Sequence, residues 1–201
     1  FGEPTGVELT GEQGGIIPVN TDVIKEVNLA TISYGQGIAV TPIQLLTAVS
    51  AIANGGKLMV PRIVSKLVDD EGNVVKTIEP VVKRQVISES TAKTLLDLME
   101  GVVSEGTGSN AYVPGYRVAG KTGTAQKIVD GRYAPGKYIG SFVAVAPADD
   151  PKIAVLVIVD EPQGVYYGGS VAAPVAGDLI EETLNYLDVP REYTEEEKEK
   201  Y

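Results

Sequence analysis

Tyr116-Arg117-Val118-Ala119-Gly120-Lys121-Thr122-Gly123-Thr124-Ala125-Gln126-Lys127-Ile128 is followed, after Val129, by Asp130-Gly131. An Asp-Gly pair between strand-like runs is a strong short-range hairpin signal, because both turn positions need a positive φ. The stretch therefore reads as a strand that doubles back. Tyr138–Ala146 is the returning strand, Pro147-Ala148-Asp149-Asp150-Pro151 turns the chain again, and Lys152–Asp160 is a third strand. Connections this short join antiparallel neighbours. Ile153-Ala154-Val155-Leu156-Val157-Ile158-Val159 is apolar throughout, so both faces of that strand should be covered. A helix with Ala172, Val175, Ala176, Leu179, Ile180, Leu184 and Leu187 on one face supplies cover. The fold class is α+β: an antiparallel sheet flanked by helices.

Further upstream, Thr41-Pro42 opens a helix, with Thr as N-cap and Pro at the first helical position. It runs to about Ala53, stops at Asn54-Gly55-Gly56, and its narrow polar stripe of Gln44, Thr47 and Ser50 predicts burial. Leu58–Val68 and Val74–Ile78 flank Asp69-Asp70-Glu71-Gly72-Asn73 and read as a hairpin. Ser88 or Ser90 caps a second helix that carries Leu95, Leu96, Met99, Val102 and Val103 and ends at Gly106-Thr107-Gly108. Residues 1–40 read as irregular. Phe1-Gly2-Glu3-Pro4-Thr5-Gly6 has no Met and no apolar leader, so the chain is expected to begin inside a domain. Residues 189–201 are highly charged and read as a frayed tail. Thr194 and Glu197 leave a capping box open as the alternative.

The chain has 201 residues, with 27 acidic against 17 basic, for a net charge of −10. That balance argues against a protein that tracks nucleic-acid phosphates. It holds no Cys and no His, which removes thiolate nucleophiles, Ser-His-Asp triads and Cys- or His-ligated metals. Asp69-Asp70-Glu71-Gly72-Asn73 has the composition of a calcium loop but neither its ligand spacing nor its distal Glu. No metal and no cofactor are assigned. Chemistry is left to Ser, Thr, Tyr, Lys, Arg, carboxylates and the backbone.

Gly120 and Gly123 bracket Lys121 and Thr122 inside a strand. Glycine weakens a strand interior and marks a place where another backbone approaches. A ligand strand could lie there, with Lys121 supplying charge and Thr122 and Thr124 supplying directed hydrogen bonds to a carboxylate. An ordinary edge strand with a solvated lysine fits the same three residues.

Lys-Thr-Gly is one of three motifs of penicillin-binding proteins and serine β-lactamases. Its surroundings, Tyr116 to Gln126 with Gly106-Thr107-Gly108-Ser109-Asn110-Ala111 ahead of it, resemble a class B penicillin-binding protein of division or sporulation type. Ser33-Tyr34-Gly35-Gln36-Gly37-Ile38-Ala39-Val40-Thr41-Pro42-Ile43-Gln44 and Pro162-Gln163-Gly164-Val165-Tyr166-Tyr167-Gly168-Gly169-Ser170 resemble the same family, in order, so that the likeness spans residues 1–188. It implies the C-terminal portion of a transpeptidase domain. A serine β-lactamase shares the triplet but not the hairpin and helix of residues 57–105.

The resemblance implies roles. Lys121 is the electropositive contributor, Thr122 and Thr124 bind the terminal carboxylate of a D-alanyl-D-alanine stem peptide or a β-lactam, Gly123 keeps the strand open, and the backbone N–H of Thr124 is an oxyanion donor. The family also needs Ser-x-x-Lys for the nucleophile and base, and Ser-x-Asn, both upstream. Ser-x-Asn is absent here. The single Ser-x-x-Lys, Ser90-Thr91-Ala92-Lys93, has the wrong order and spacing and reads as a helix start with a solvated lysine. The nucleophile and base are thus expected outside this chain, in an N-terminal portion of the same domain. Other implied partners are cell-wall synthesis proteins, at the outer face of the cell membrane, with the anchor elsewhere. The alternative is a non-catalytic relic of the fold that binds peptide or a partner protein. Arg117, Tyr112 and Tyr116 read as packing, and Tyr166-Tyr167-Gly168-Gly169 as an ordered turn.

Overall fold

The computed structural model describes residues 1–17 and 24–200. In chain order the elements are α1 (Glu26–Ser33), α2 (Pro42–Ala53), β1 (Lys57–Met59), β2 (Lys66–Val68), β3 (Val74–Thr77), β4 (Val82–Gln85), α3 (Glu89–Ser104), β5 (Ala119–Val129), β6 (Arg132–Ala146), β7 (Ile153–Asp160), α4 (Gly168–Val171), α5 (Ala173–Tyr186) and α6 (Glu195–Lys200).

The sheet order is β5-β6-β7, antiparallel throughout, as the turn chemistry predicts. Val129 pairs with Arg132 across Asp130 and Gly131, both at positive φ. Alternation along β6 divides the core. Phe142, Ala144 and Ala146 pack on one side with Ala172, Ala173, Ala176, Ile180 and Leu184. Val143 and Val145 pack on the other with Val49 of α2 and Leu96 of α3. The sheet thus sits between α4–α5 and α2–α3.

Cover is thinner than the sequence predicts. On α5 the row Ala172, Ala176, Ile180, Leu184 is fully buried, while Val175, Leu179 and Leu187, one step around the helix, are exposed. On α2 only Gln44, Val49 and Ala51 are buried. Ile158 of β7 is also exposed. A three-stranded sheet is too narrow to cover these faces.

The local signals at α2 hold. Thr41 Oγ1 accepts from Gln44 N at 3.2 Å and Gln44 Oε1 accepts from Thr41 N at 2.9 Å, which closes a capping box. The predicted long hairpin is corrected. Only β2 and β3 pair across Asp69–Asn73, and the Leu58 end instead forms β1, paired with β4. Pro61 separates the two ribbons. Helix α1 lies in the stretch read as irregular and buries no residue, so it has no apolar period to announce it.

The frayed tail is also corrected. Thr194 N donates to Glu197 Oε2 at 2.8 Å and Glu197 N to Thr194 Oγ1 at 3.2 Å, so the capping box forms and α6 follows. The segment before it docks on the body: Glu192 N donates to Gly115 O at 2.8 Å, and Arg191 Nη1 to Pro114 O at 3.1 Å.

Candidate functional site

Strand β5 lies at one edge of its sheet, and Lys121, Thr122, Gly123 and Thr124 occupy its first half. Thr122 lies opposite Phe142 and Thr124 opposite Gly140, so both hydroxyls share the sheet face that carries α4. Lys121, opposite Val143, and Gly123, opposite Ser141, belong to the other face. Lys121 is exposed, and its Nζ donates to Thr122 O at 2.8 Å, curling around the edge toward the threonines.

The glycines have steric reasons. A Cβ on Gly120 would stand 2.5 Å from Cζ of Phe142, a fully buried ring. On Gly123 it would collide with Ser141 Oγ. On Gly168, at the start of α4, it would run into the backbone oxygens of Ser141 and Gly123, and on Gly169 into Thr107 O. Backbone layers thus meet here with no room for side chains, and α4 lies directly on the Lys-Thr-Gly strand.

Two neighbours complete the surface, and sequence reasoning gave neither a role. Thr107 Oγ1 is 3.2 Å from Thr122 Oγ1, which extends the hydroxyl row. Gly168 N donates to Thr124 Oγ1 at 3.1 Å, and Asn110 Nδ2 to Gly169 O at 2.8 Å, which ties the 106–111 loop to α4. Both sit in glycine-rich segments whose regularity was visible, but which contact they make depends on tertiary packing. Beyond Thr124, Tyr138 and Tyr166 stack with centroids 4.0 Å apart, and Tyr167 leans on Tyr166 at 4.5 Å. The hydrogen bond to Tyr167, and charge repulsion from the Tyr167 phenolic oxygen, push the Tyr166 phenol up to about 12. Three hydroxyls, one ammonium and an open strand edge suit an extended ligand ending in a carboxylate.

The other candidates lie elsewhere. Ser88, not Ser90, caps α3, accepting from Thr91 N at 3.1 Å. Ser90 and Lys93 are exposed, at the opposite end of α3 from Val103, which is the residue beside Gly120. Thirteen helical positions span about 20 Å. Arg117 is engaged by Glu100 through Nε at 2.7 Å and again through Nη2. Tyr116 is buried, with its hydroxyl donating to Val189 O at 2.8 Å.

Residues 1–181 match the family model of the penicillin binding protein transpeptidase domain. The chain belongs to this family. It is 48% identical over 201 residues to Stage V sporulation protein D of Bacillus subtilis, covering 98% of this chain and 31% of that protein. It is 37% identical to the peptidoglycan D,D-transpeptidase FtsI of Escherichia coli K12, covering 94% of this chain and 30% of that one. Among solved structures, the transpeptidase domain of Burkholderia pseudomallei penicillin-binding protein 3 superposes with a TM-score of 0.82 at 38% identity, over 96% of this chain and 56% of that one. Penicillin-binding protein 3 of Mycobacterium tuberculosis, complexed with ampicillin, gives 0.84 at 31% identity, over 96% of this chain and 45% of that one. The transpeptidase fold expected from the resemblance is therefore shown. The chain spans about a third of the length of these curated relatives, and the likeness to the sporulation protein reaches past residue 188.

Proposed function

We propose that this chain is the C-terminal portion of a serine D,D-transpeptidase domain and carries the strand that grips the acyl donor. In the complete protein, a serine outside this chain attacks the carbonyl of the penultimate D-alanine of a stem peptide. The C–N bond to the terminal D-alanine breaks, and that residue leaves as the amine. An amine of a second stem peptide then attacks the serine ester and restores the hydroxyl. A β-lactam opens in the same first step, but its leaving amine stays tethered to the acyl group.

The observation that carries this reading is the pairing of Thr122 and Thr124 on one face of an edge strand, walled by glycine-only contacts. Thr122 and Thr124 hold the donor's carboxylate through their hydroxyls, and the N–H of Thr124 stabilises the oxyanion. Lys121 supplies the positive charge that keeps the carboxylate and the serine's proton relay in place. Gly123 leaves room for the ligand backbone. The relic alternative is disfavoured because a strand that merely packs has no use for an exposed Lys121 folded back onto Thr122 O beside Gly123.

Likeness to a sporulation protein and to a peptidoglycan D,D-transpeptidase supports a role in cell-wall synthesis, with other cell-wall synthesis proteins as partners. Its substrate lies outside the cell membrane, so we place the whole protein at that face, anchored by a segment other than this one. Among the described residues no helix is long and apolar enough to cross a membrane.

The test is peptide mapping of the complete protein after reaction with benzylpenicillin. One adduct is expected, on a serine outside this chain, and none is expected on the 201-residue chain treated alone. An adduct on Ser90 overturns the assignment.

A further inference from the structure

Glu197 is the only buried charged residue among the described residues, and the proposed chemistry does not use it. A capping-box glutamate needs to reach only its own N-cap N–H. Oε2 does so, at Thr194 N. Oε1 instead accepts from Tyr112 OH and from Gly115 N at 3.0 Å, more than eighty residues away in sequence.

Gly115 is the third residue of a turn, Val113-Pro114-Gly115-Tyr116, closed by Tyr116 N to Val113 O at 3.1 Å. Pro second and Gly third at φ +78° make it type II. The N–H of Gly115 takes no part in the closing bond, and Glu197 satisfies it. The C-terminal segment holds the rest of the turn. Gly115 O accepts from Glu192 N, Pro114 O accepts from Arg191, and the Arg191 guanidinium lies 5.0 Å over the Tyr116 ring. Strand β5 begins three residues later, at Ala119.

The same loop reaches the candidate site at its other end. Thr107 touches Thr122, and Asn110 bonds Gly169 O. Between them and the turn, a single 3-10 turn, Ser109–Ala111, is closed by Tyr112 N to Ser109 O at 3.1 Å and seats the fully buried Ala111 against Gly177 of α5. The linkage from Glu197 to Thr107 is short and hydrogen-bonded throughout.

We propose that Glu197 is a positioning residue for the carboxylate pocket: by anchoring Tyr112 and Gly115 it holds the 107–116 loop so that Thr107 stays against Thr122. The inference rests on the reading of Thr122 given above. Residues 189–200 are then a working part of the domain, acting through the loop without touching the ligand.

The test is a double-mutant cycle in the complete protein, read as the second-order acylation rate with a fluorescent penicillin, with melting temperature followed separately. Glu197→Ala and Thr107→Ala should each slow acylation about five- to ten-fold. Because both act through one contact, the double variant should be no slower than the slower single one. Tyr112→Phe, which removes one bond, should give a smaller loss. Glu197→Gln, which keeps an acceptor for Tyr112 and Gly115, should recover most of the rate and covers the case in which Glu197→Ala does not fold. Losses that multiply in the double variant, or parent-rate acylation by both Glu197 variants, overturn the inference. Thr122→Val separates the two claims. If it acylates at the parent rate, the reading of the strand fails. If it is slow while Glu197→Ala is not, only the positioning role fails.

Discussion

A Cβ at residue 168 would meet the backbone oxygens of Ser141 and Gly123 and the amide of Ser141, none of which can turn aside. At residue 123 it would meet only the Ser141 hydroxyl, which can rotate about χ1. The two glycines therefore predict different outcomes. Gly168→Ala should destabilise the domain by about 1–3 kcal/mol through overpacking, visible as a lower denaturation midpoint. Gly123→Val should leave the circular dichroism unchanged yet reduce penicillin acylation at least ten-fold, because a branched side chain pressed against Ser141 displaces the strand edge along which the ligand lies. Thr122→Ser, which keeps the hydroxyl, should acylate within a few-fold of the parent. Equal stability losses at the two glycines would contradict this division.

Helix α6 depends on one carboxylate. Burial raises the Glu197 carboxyl, but hydrogen bonds from Tyr112, Thr194 and Gly115 outweigh it and bring it down to about 2, against an ordinary 4.5. A carboxyl lowered in the folded state stabilises fully above its unfolded value and loses that contribution as pH falls. The difference in urea midpoint between the parent and Glu197→Gln should therefore be constant above about pH 4.5 and shrink toward pH 2. A difference independent of pH would show that the charge is not what holds the segment. The docking of this helix was only half legible in sequence. Thr194 and Glu197 announce the box, but nothing near them announces Tyr112 and Gly115, because that contact is made across the fold. The elements that read cleanly have local causes: the Asp130-Gly131 turn, the Thr41-Pro42 start and the Lys121–Thr124 run between close-packing glycines. Helix α1, with no buried face, and the β1–β4 pairing, with 22 residues between the strands, lack such causes.

Across the whole molecule, the apolar surface is incompletely covered. Val175 and Leu179 stand side by side on α5, Ile158 is open on β7, and β5 and β7 are both edges of their sheet. The faces were predicted correctly as apolar, but their cover is not within these three strands. Burying about 300 Å² of such surface contributes about 7 kcal/mol, comparable to the whole stability of a typical domain. The 201-residue chain by itself should therefore bind a hydrophobic dye and melt broadly or aggregate. A sharp, monomeric, cooperative transition would contradict this.

The central claim is that Lys121-Thr122-Gly123-Thr124 serves the acyl donor and that Ser90-Thr91-Ala92-Lys93 is only a helix start. The most direct measurement is the second-order acylation rate of the complete protein with a fluorescent penicillin, comparing Lys121→Ala with Ser90→Ala. Losing a charge-assisted hydrogen bond costs about 1.5–3 kcal/mol, so Lys121→Ala should be roughly ten- to a hundred-fold slower while Ser90→Ala keeps the parent rate. Parent-rate acylation by Lys121→Ala together with loss of labelling in Ser90→Ala would contradict the account.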